Sequence, residues 1–87
     1  MLSVRGDLDL ATRQSLAPAV EVLLKRGGTF IDIDLSNVIF IDCAGWRGVE
    51  QLQDALAAKN VRCKVINVSP PVRRFLDLLS SAATIGR

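Results

Sequence analysis

An α/β domain built on one sheet with helical crossovers is the fold this sequence predicts. Three observations lead there. Apolar residues recur with period 2 and then with period 3.6, in alternation along the chain. Gly, Pro, Asp and Ser gather at the junctions between those patterns. The length of 87 residues suits one small core, and 49% hydrophobic against 23% charged residues makes that core feasible.

The elements follow in order. Leu2 and Val4 alternate with polar residues before Gly6-Asp7-Leu8-Asp9, which reads as a strand entering a turn. It begins almost at the first residue, leaving no room before it for a hairpin partner. Leu16, Val20, Leu23 and Leu24 then fall on one helical stripe within Ala11 to Lys25. Pro18 requires that helix either to start near Ser15 or to kink. Lys25 and Arg26 suit its last turn, and Gly27-Gly28 its stop. Thr29 to Leu35 is the clearest strand, followed by a turn at Ser36-Asn37 and a short apolar run, Val38 to Ile41.

A second helix is expected from Ala44 to Lys59, with Val49, Leu52 and Leu56 on one face and Asn60 as its C-cap. Val61 to Val68 is a further strand. Ser69-Pro70-Pro71 opens a third helix, with Ser69 capping and Val72, Phe75, Leu76 and Leu79 forming its apolar face. The pattern weakens from Ser80 to Arg87. The order is thus β-α-β-(β)-α-β-α.

Composition excludes much chemistry. The chain has no His, which removes His-dependent triads and most catalytic zinc sites. Two cysteines, Cys43 and Cys63, cannot form a tetrahedral Cys site in one chain and are too few for a disulfide scaffold. Gly-x-Gly-x-x-Gly and Gly-x4-Gly-Lys are both absent, so no dinucleotide or P-loop site is expected. Cys43 and Arg47 stand too close for the Cys-x5-Arg loop of a thiol phosphatase. No metal, no cofactor and no catalytic residue is therefore expected, and the chain reads as a non-enzyme. A net charge of +2 gives no reason to expect a nucleic acid or membrane partner. No apolar run approaches the roughly 20 residues of a membrane span, and the start lacks a signal-peptide pattern. A cytoplasmic protein is the expectation.

The fragments Gly6-Asp7-Leu8-Asp9-Leu10, Asp34-Leu35-Ser36-Asn37-Val38, Phe40-Ile41-Asp42-Cys43-Ala44-Gly45 and Val68-Ser69-Pro70-Pro71-Val72-Arg73-Arg74 occur in that order. Together they resemble the STAS domain, the fold of bacterial anti-sigma factor antagonists, over nearly the whole of Leu2 to Leu79. The resemblance implies a mixed β-sheet packed with helices, forming one domain over residues 1–79 with a tail at 80–87. It also implies another strand ahead of the one that leads into the Gly-x-Leu-Asp turn. Here the sheet is either one strand short, or an exposed edge is filled by a partner, a second copy included.

The implied function is reversible binding of a kinase-type anti-sigma factor, which frees a sigma factor and so regulates transcription. Family members typically read Asp-Ser-Ser/Thr-Gly at the strand–helix turn, and the kinase phosphorylates the first hydroxyl after the Asp. Cys43 holds that phosphoacceptor-equivalent position and Ala44 follows it. The switch hydroxyl is absent. The resemblance places the partner surface at Asp42, Cys43, Ala44, Gly45 and Trp46, with the loop of Asp9 nearby. STAS-like domains also serve as accessory subunits of transporters and as stressosome scaffolds, and that reading stands as the alternative.

Individual residues carry two readings each. A helix start exposes unpaired N–H groups and suits a phosphoryl group. Cys43 is there either a redox-sensitive thiol or a small buried substitute for Ser. Trp46 is an exposed anchor or a core residue. Cys63 reads as core, on the face of Val61 and Val65. Asp7 and Asp9 are candidate caps of the first helix, and Asp32 and Asp34 are expected to face solvent. Arg73 and Arg74 form a solvated face.

Overall fold

A computed structural model describes the backbone of residues 1–85 and the side chains of residues 1–81. The chain forms β1 (Leu2–Leu8), a single 3-10 turn (Arg13–Ser15), α1 (Leu16–Leu24), β2 (Phe30–Ile41), α2 (Cys43–Ala57), β3 (Arg62–Val68) and α3 (Pro70–Ile85). The strands lie in the order β1-β2-β3 and pair in parallel, so this is an α/β sheet with helical crossovers. The mixed sheet implied by the family resemblance is, among the described residues, three parallel strands.

Local chemistry explains the boundaries. The regular part of α1 starts at Leu16, so Pro18 sits in its first turn, where a missing N–H has no intrahelical partner to lose. Lys25 and Arg26 stand just past the last turn, and Gly27 takes φ +83°, a conformation that stops a helix cheaply only with glycine. Asn60 plays the same part after α2 at φ 61°. Ser69 receives the Val72 N–H at 3.4 Å and opens α3. That helix runs on to Ile85, past the point where the apolar pattern fades, and Gly86 and Arg87 lie outside the described residues.

Ser36-Asn37 is not a turn. β2 continues through it as one strand of 12 residues. The register against β1 shifts instead, with Ser3 opposite Asp34 but Arg5 opposite Asn37, and shifts again before Phe40. Each shift absorbs one extra residue of β2 as a bulge. The Asp34 carboxylate takes the Ser36 N–H at 2.9 Å, so the bulge keeps its donor satisfied while the ladder to β1 goes on.

Burial alternates along all three strands, with one face against the helices. Ile31, Ile33, Leu35, Val38 and Ile41 of β2 form its centre, joined by Leu8, by Leu16 and Val20 of α1, by Val49, Leu52 and Leu56 of α2, and by Val72 of α3. Ser3, Arg5 and Asp7 of β1 and Arg62 and Lys64 of β3 point to the exposed side.

Gly45 sets how closely α2 approaches the sheet. A Cβ at this position would overlap the Leu8 carbonyl group at the end of β1. The obstacle is backbone, which a rotamer change cannot clear. Gly45→Ala is therefore expected to cost about 2–3 kcal/mol, a fall of roughly 10–20 °C in Tm for a domain of this size. Gly28→Ala, which meets nothing closer than 3.9 Å, serves as the near-neutral control in the same thermal melts.

Candidate functional site

Two turns meet at the carboxyl ends of the parallel strands. β1 and β2 end side by side, Leu8 opposite Ile41. The chain leaves β1 through a turn fixed by Asp9, whose Oδ1 accepts the N–H groups of Ala11 and Thr12, both at 3.0 Å. The Thr12 hydroxyl accepts the Asp9 N–H at 3.0 Å and donates to the Asp7 carbonyl at 2.8 Å. Asp9 thus organises the turn ahead of the 3-10 segment. It does not cap α1, whose N-cap Ser15 makes no side-chain capping bond. The expectation that Asp7 or Asp9 caps the first helix is corrected accordingly.

β2 leaves the sheet at Asp42. Its N–H donates to the Leu8 carbonyl at 3.3 Å, which ties this turn to the end of β1. The Asp42 backbone is extended, and its Oδ1 accepts the Gly45 N–H at 2.8 Å as the N-cap of α2. The Trp46 N–H closes the first turn on the Asp42 carbonyl at 3.0 Å. From the neighbouring turn the Arg13 guanidinium reaches the Ala44 carbonyl at 3.5 Å. Asp9, Asp42, Cys43, Ala44 and Gly45 are therefore brought to one end of the sheet on a backbone held by several hydrogen bonds.

Their exposure differs. Cys43 is exposed at the first position of α2, so it is not the buried Ser substitute weighed from the sequence. Gly45 is buried and Ala44 half-buried. Trp46 is half-buried and packs against the core. It does not project as a free anchor; its exposed part lines a groove of about 510 Å³ with Val65, Val68, Arg73 and Leu76. Trp46 thus faces the space between β3 and α3, while Cys43 faces solvent.

Asp32 and Asp34 alternate with the buried Ile31, Ile33 and Leu35 and so lie on the face turned away from the core, as the pattern predicts, although Asp32 Oδ1 is shielded from water without a hydrogen-bond partner. Hydrogen bonds from Ser36 hold the Asp34 carboxyl below the usual carboxylate value. The stabilisation from that depressed group is present above the ordinary carboxylate value and is lost as the pH falls below it, through the lower folded-state value. Cys63 is half-buried beside Val61 and Val65, as the strand pattern predicts. Burial, and then the charge of Asp32, push its thiol up from the ordinary value. Both cysteines are free.

With this geometry in view, the chain matches the family model of the STAS domain over residues 1–85. It belongs to the STAS domain family. No curated protein and no solved structure matches it. STAS domains are protein-interaction modules and generally non-catalytic. Among the described residues of this STAS chain, no group of three or more His, Cys, Asp or Glu side chains is placed to hold a metal ion. No helix among them is long and apolar enough to cross a membrane.

Sequence reasoning missed Thr12 and Arg13. The first had a usable signal, since Asp-x-x-Thr after a strand is the pattern of a self-bonded turn. Arg13 had none, because its partner is a carbonyl far along the chain.

The two thiols should separate cleanly by reactivity. With a disulfide reagent near neutral pH, Cys43 is expected to react roughly tenfold or more faster than Cys63. Cys43→Ser removes the fast phase and leaves the slow one. The raised Cys63 thiol adds a sign: stability is full below the ordinary thiol value and declines as the pH rises through the folded-state value, which denaturant titrations at alkaline pH would read.

Proposed function

We propose that this STAS chain is a protein-binding module of the anti-sigma factor antagonist type, docking a kinase-type anti-sigma factor without a phosphorylation switch. One observation carries the reading. The residue at the exposed first position of α2, beside the capping Asp42, is Cys43. That is the place at which the family resemblance puts a phosphoacceptor hydroxyl. A phosphate there would add about 1.5–2 negative charges to the docking surface. Cys43 accepts no phosphate from a Ser/Thr kinase, so binding is constitutive or gated otherwise.

In this reading Asp9, Asp42, Cys43 and Ala44 form the docking surface, with Gly45 buried beneath it against β1 and Trp46 at its border. The module is not an enzyme and needs no cofactor. Its place is the bacterial cytoplasm, where such a partner controls transcription. The rigid turn favours tight docking, since little backbone freedom is lost on binding.

Substitution of Cys43 tests this. Cys43→Ser, incubated with a kinase-type anti-sigma factor and ATP, is expected to gain one phosphate that the natural chain does not take up. Cys43→Glu should fold normally, because a carboxylate suits a helix start, yet bind the anti-sigma factor roughly tenfold or more weakly. Phosphate on the natural chain's turn would contradict the lost switch. Binding that ignores Cys43→Glu would contradict the docking surface, and capture only of a transporter ATPase or another STAS chain would favour the accessory or scaffold role.

A further inference from the structure

The turn that leaves β1 is seated on α2 at two places. Its own hydrogen bonds run among Asp7, Asp9, Ala11 and Thr12, so they set its shape but not its direction. Its start is seated by Gly45, where an added Cβ would stand 3.0 Å from the Asp9 nitrogen. Its end is seated by Arg13. The Arg13 N–H closes the turn on the Asp9 carbonyl at 2.9 Å, so this residue moves with the turn. Between the two seats, Leu10 and Ala11 are exposed.

The second seat has two parts. The Arg13 guanidinium reaches the Ala44 carbonyl at 3.5 Å, and among the described residues this is the one hydrogen bond from residues 9–15 to α2. A contact of that length holds little by itself. The stem adds to it. A Cβ at Gly48 would stand 2.8 Å from Arg13 Cβ, 3.4 Å from Cδ and 3.5 Å from Cγ, so the half-buried Arg13 stem occupies the space a side chain at 48 would take. Gly48 lies inside α2, where glycine is less favourable than alanine. What the missing side chain makes room for is the Arg13 stem.

We propose that Arg13 is a positioning residue for the docking surface. Its stem on Gly48 and its guanidinium on Ala44 clasp the β1–α1 turn to α2, so that Asp9 and Leu10 stand at a fixed offset from Cys43. The docking role rests on the function proposed above, whereas the clasp does not. Arg13 acts through the turn. With the clasp released, residues 10–13 swing about the Gly45 seat, and a partner must order them on binding, which lowers affinity.

The test uses the full chain, isotope-labelled for NMR relaxation of its backbone amides. Arg13→Ala is expected to lower the order parameters of Leu10, Ala11 and Thr12 relative to the natural chain. Arg13→Lys, which keeps the stem and a donor, should restore them. Gly48→Ala should reproduce the loosening from the helix side, although alanine favours the helix, because its methyl displaces Arg13. Arg26→Ala removes an equal charge from the exposed segment after α1 and should change nothing. Each variant is first matched to the natural chain by circular dichroism. Against a purified kinase-type anti-sigma factor, Arg13→Ala and Gly48→Ala should bind roughly three- to tenfold more weakly, and Arg13→Lys about as well as the natural chain. Unchanged order parameters in Arg13→Ala, or loosening that Arg13→Lys does not repair, would overturn the clasp. A loosened turn with unchanged affinity would overturn the docking role alone. A natural chain that binds no anti-sigma factor would overturn the docking role together with the function beneath it, while the relaxation data still decide the clasp.

Discussion

The contact of Gly45 with the Leu8 carbonyl governs the arrangement of this domain. A parallel sheet delivers its strand ends to one rim, and what happens there depends on how near the next helix can come. With no side chain at Gly45, the first turn of α2 lies directly on the last residue of β1. The Asp42 N–H can then reach the Leu8 carbonyl, and the Asp42 carboxylate can turn back to the Gly45 N–H. Any larger residue would push α2 outward and loosen both links. The packing of Val49, Leu52 and Leu56 further along α2 depends on the same approach.

That constraint also decides which side chain reaches solvent. The turn has little conformational freedom, so Cys43 projects from a fixed place while Gly45 is buried and Trp46 is drawn toward β3 and α3. A helix start with its N–H groups presented is favourable for added negative charge. The proposed reading of an unswitched binder rests on a thiol standing at the helix start where the family resemblance puts a phosphoacceptor hydroxyl.

Much of the fold was legible because each junction carries its own chemistry. Gly27 after the first helix, Asn60 after the second and Ser69 before the third mark boundaries that local sterics and capping enforce. β2 was harder. Ser36-Asn37 has the composition of a turn, and only the ladder to β1, a non-local pairing, makes it a bulge within a continuous strand. Asp32 and Asp34 lie on the outer face that their alternation marks, and only the shielding of Asp32 Oδ1 was not legible. At the site, Asp42 and Gly45 could be placed from the strand–turn–helix pattern. The exposure of Cys43, the inward lean of Trp46 and the reach of Arg13 to Ala44 depend on tertiary packing, which periodicity does not encode.

The most direct measurement attaches a photo-crosslinker to Cys43 in a Cys63→Ser chain, so that only the α2 start is labelled. The labelled protein is illuminated with a purified kinase-type anti-sigma factor, and the joined residues are identified by mass spectrometry. The account predicts a dominant crosslink from Cys43 to the anti-sigma factor, suppressed by excess unlabelled chain. A complex that forms without any crosslink at Cys43, or no complex at all, would contradict it.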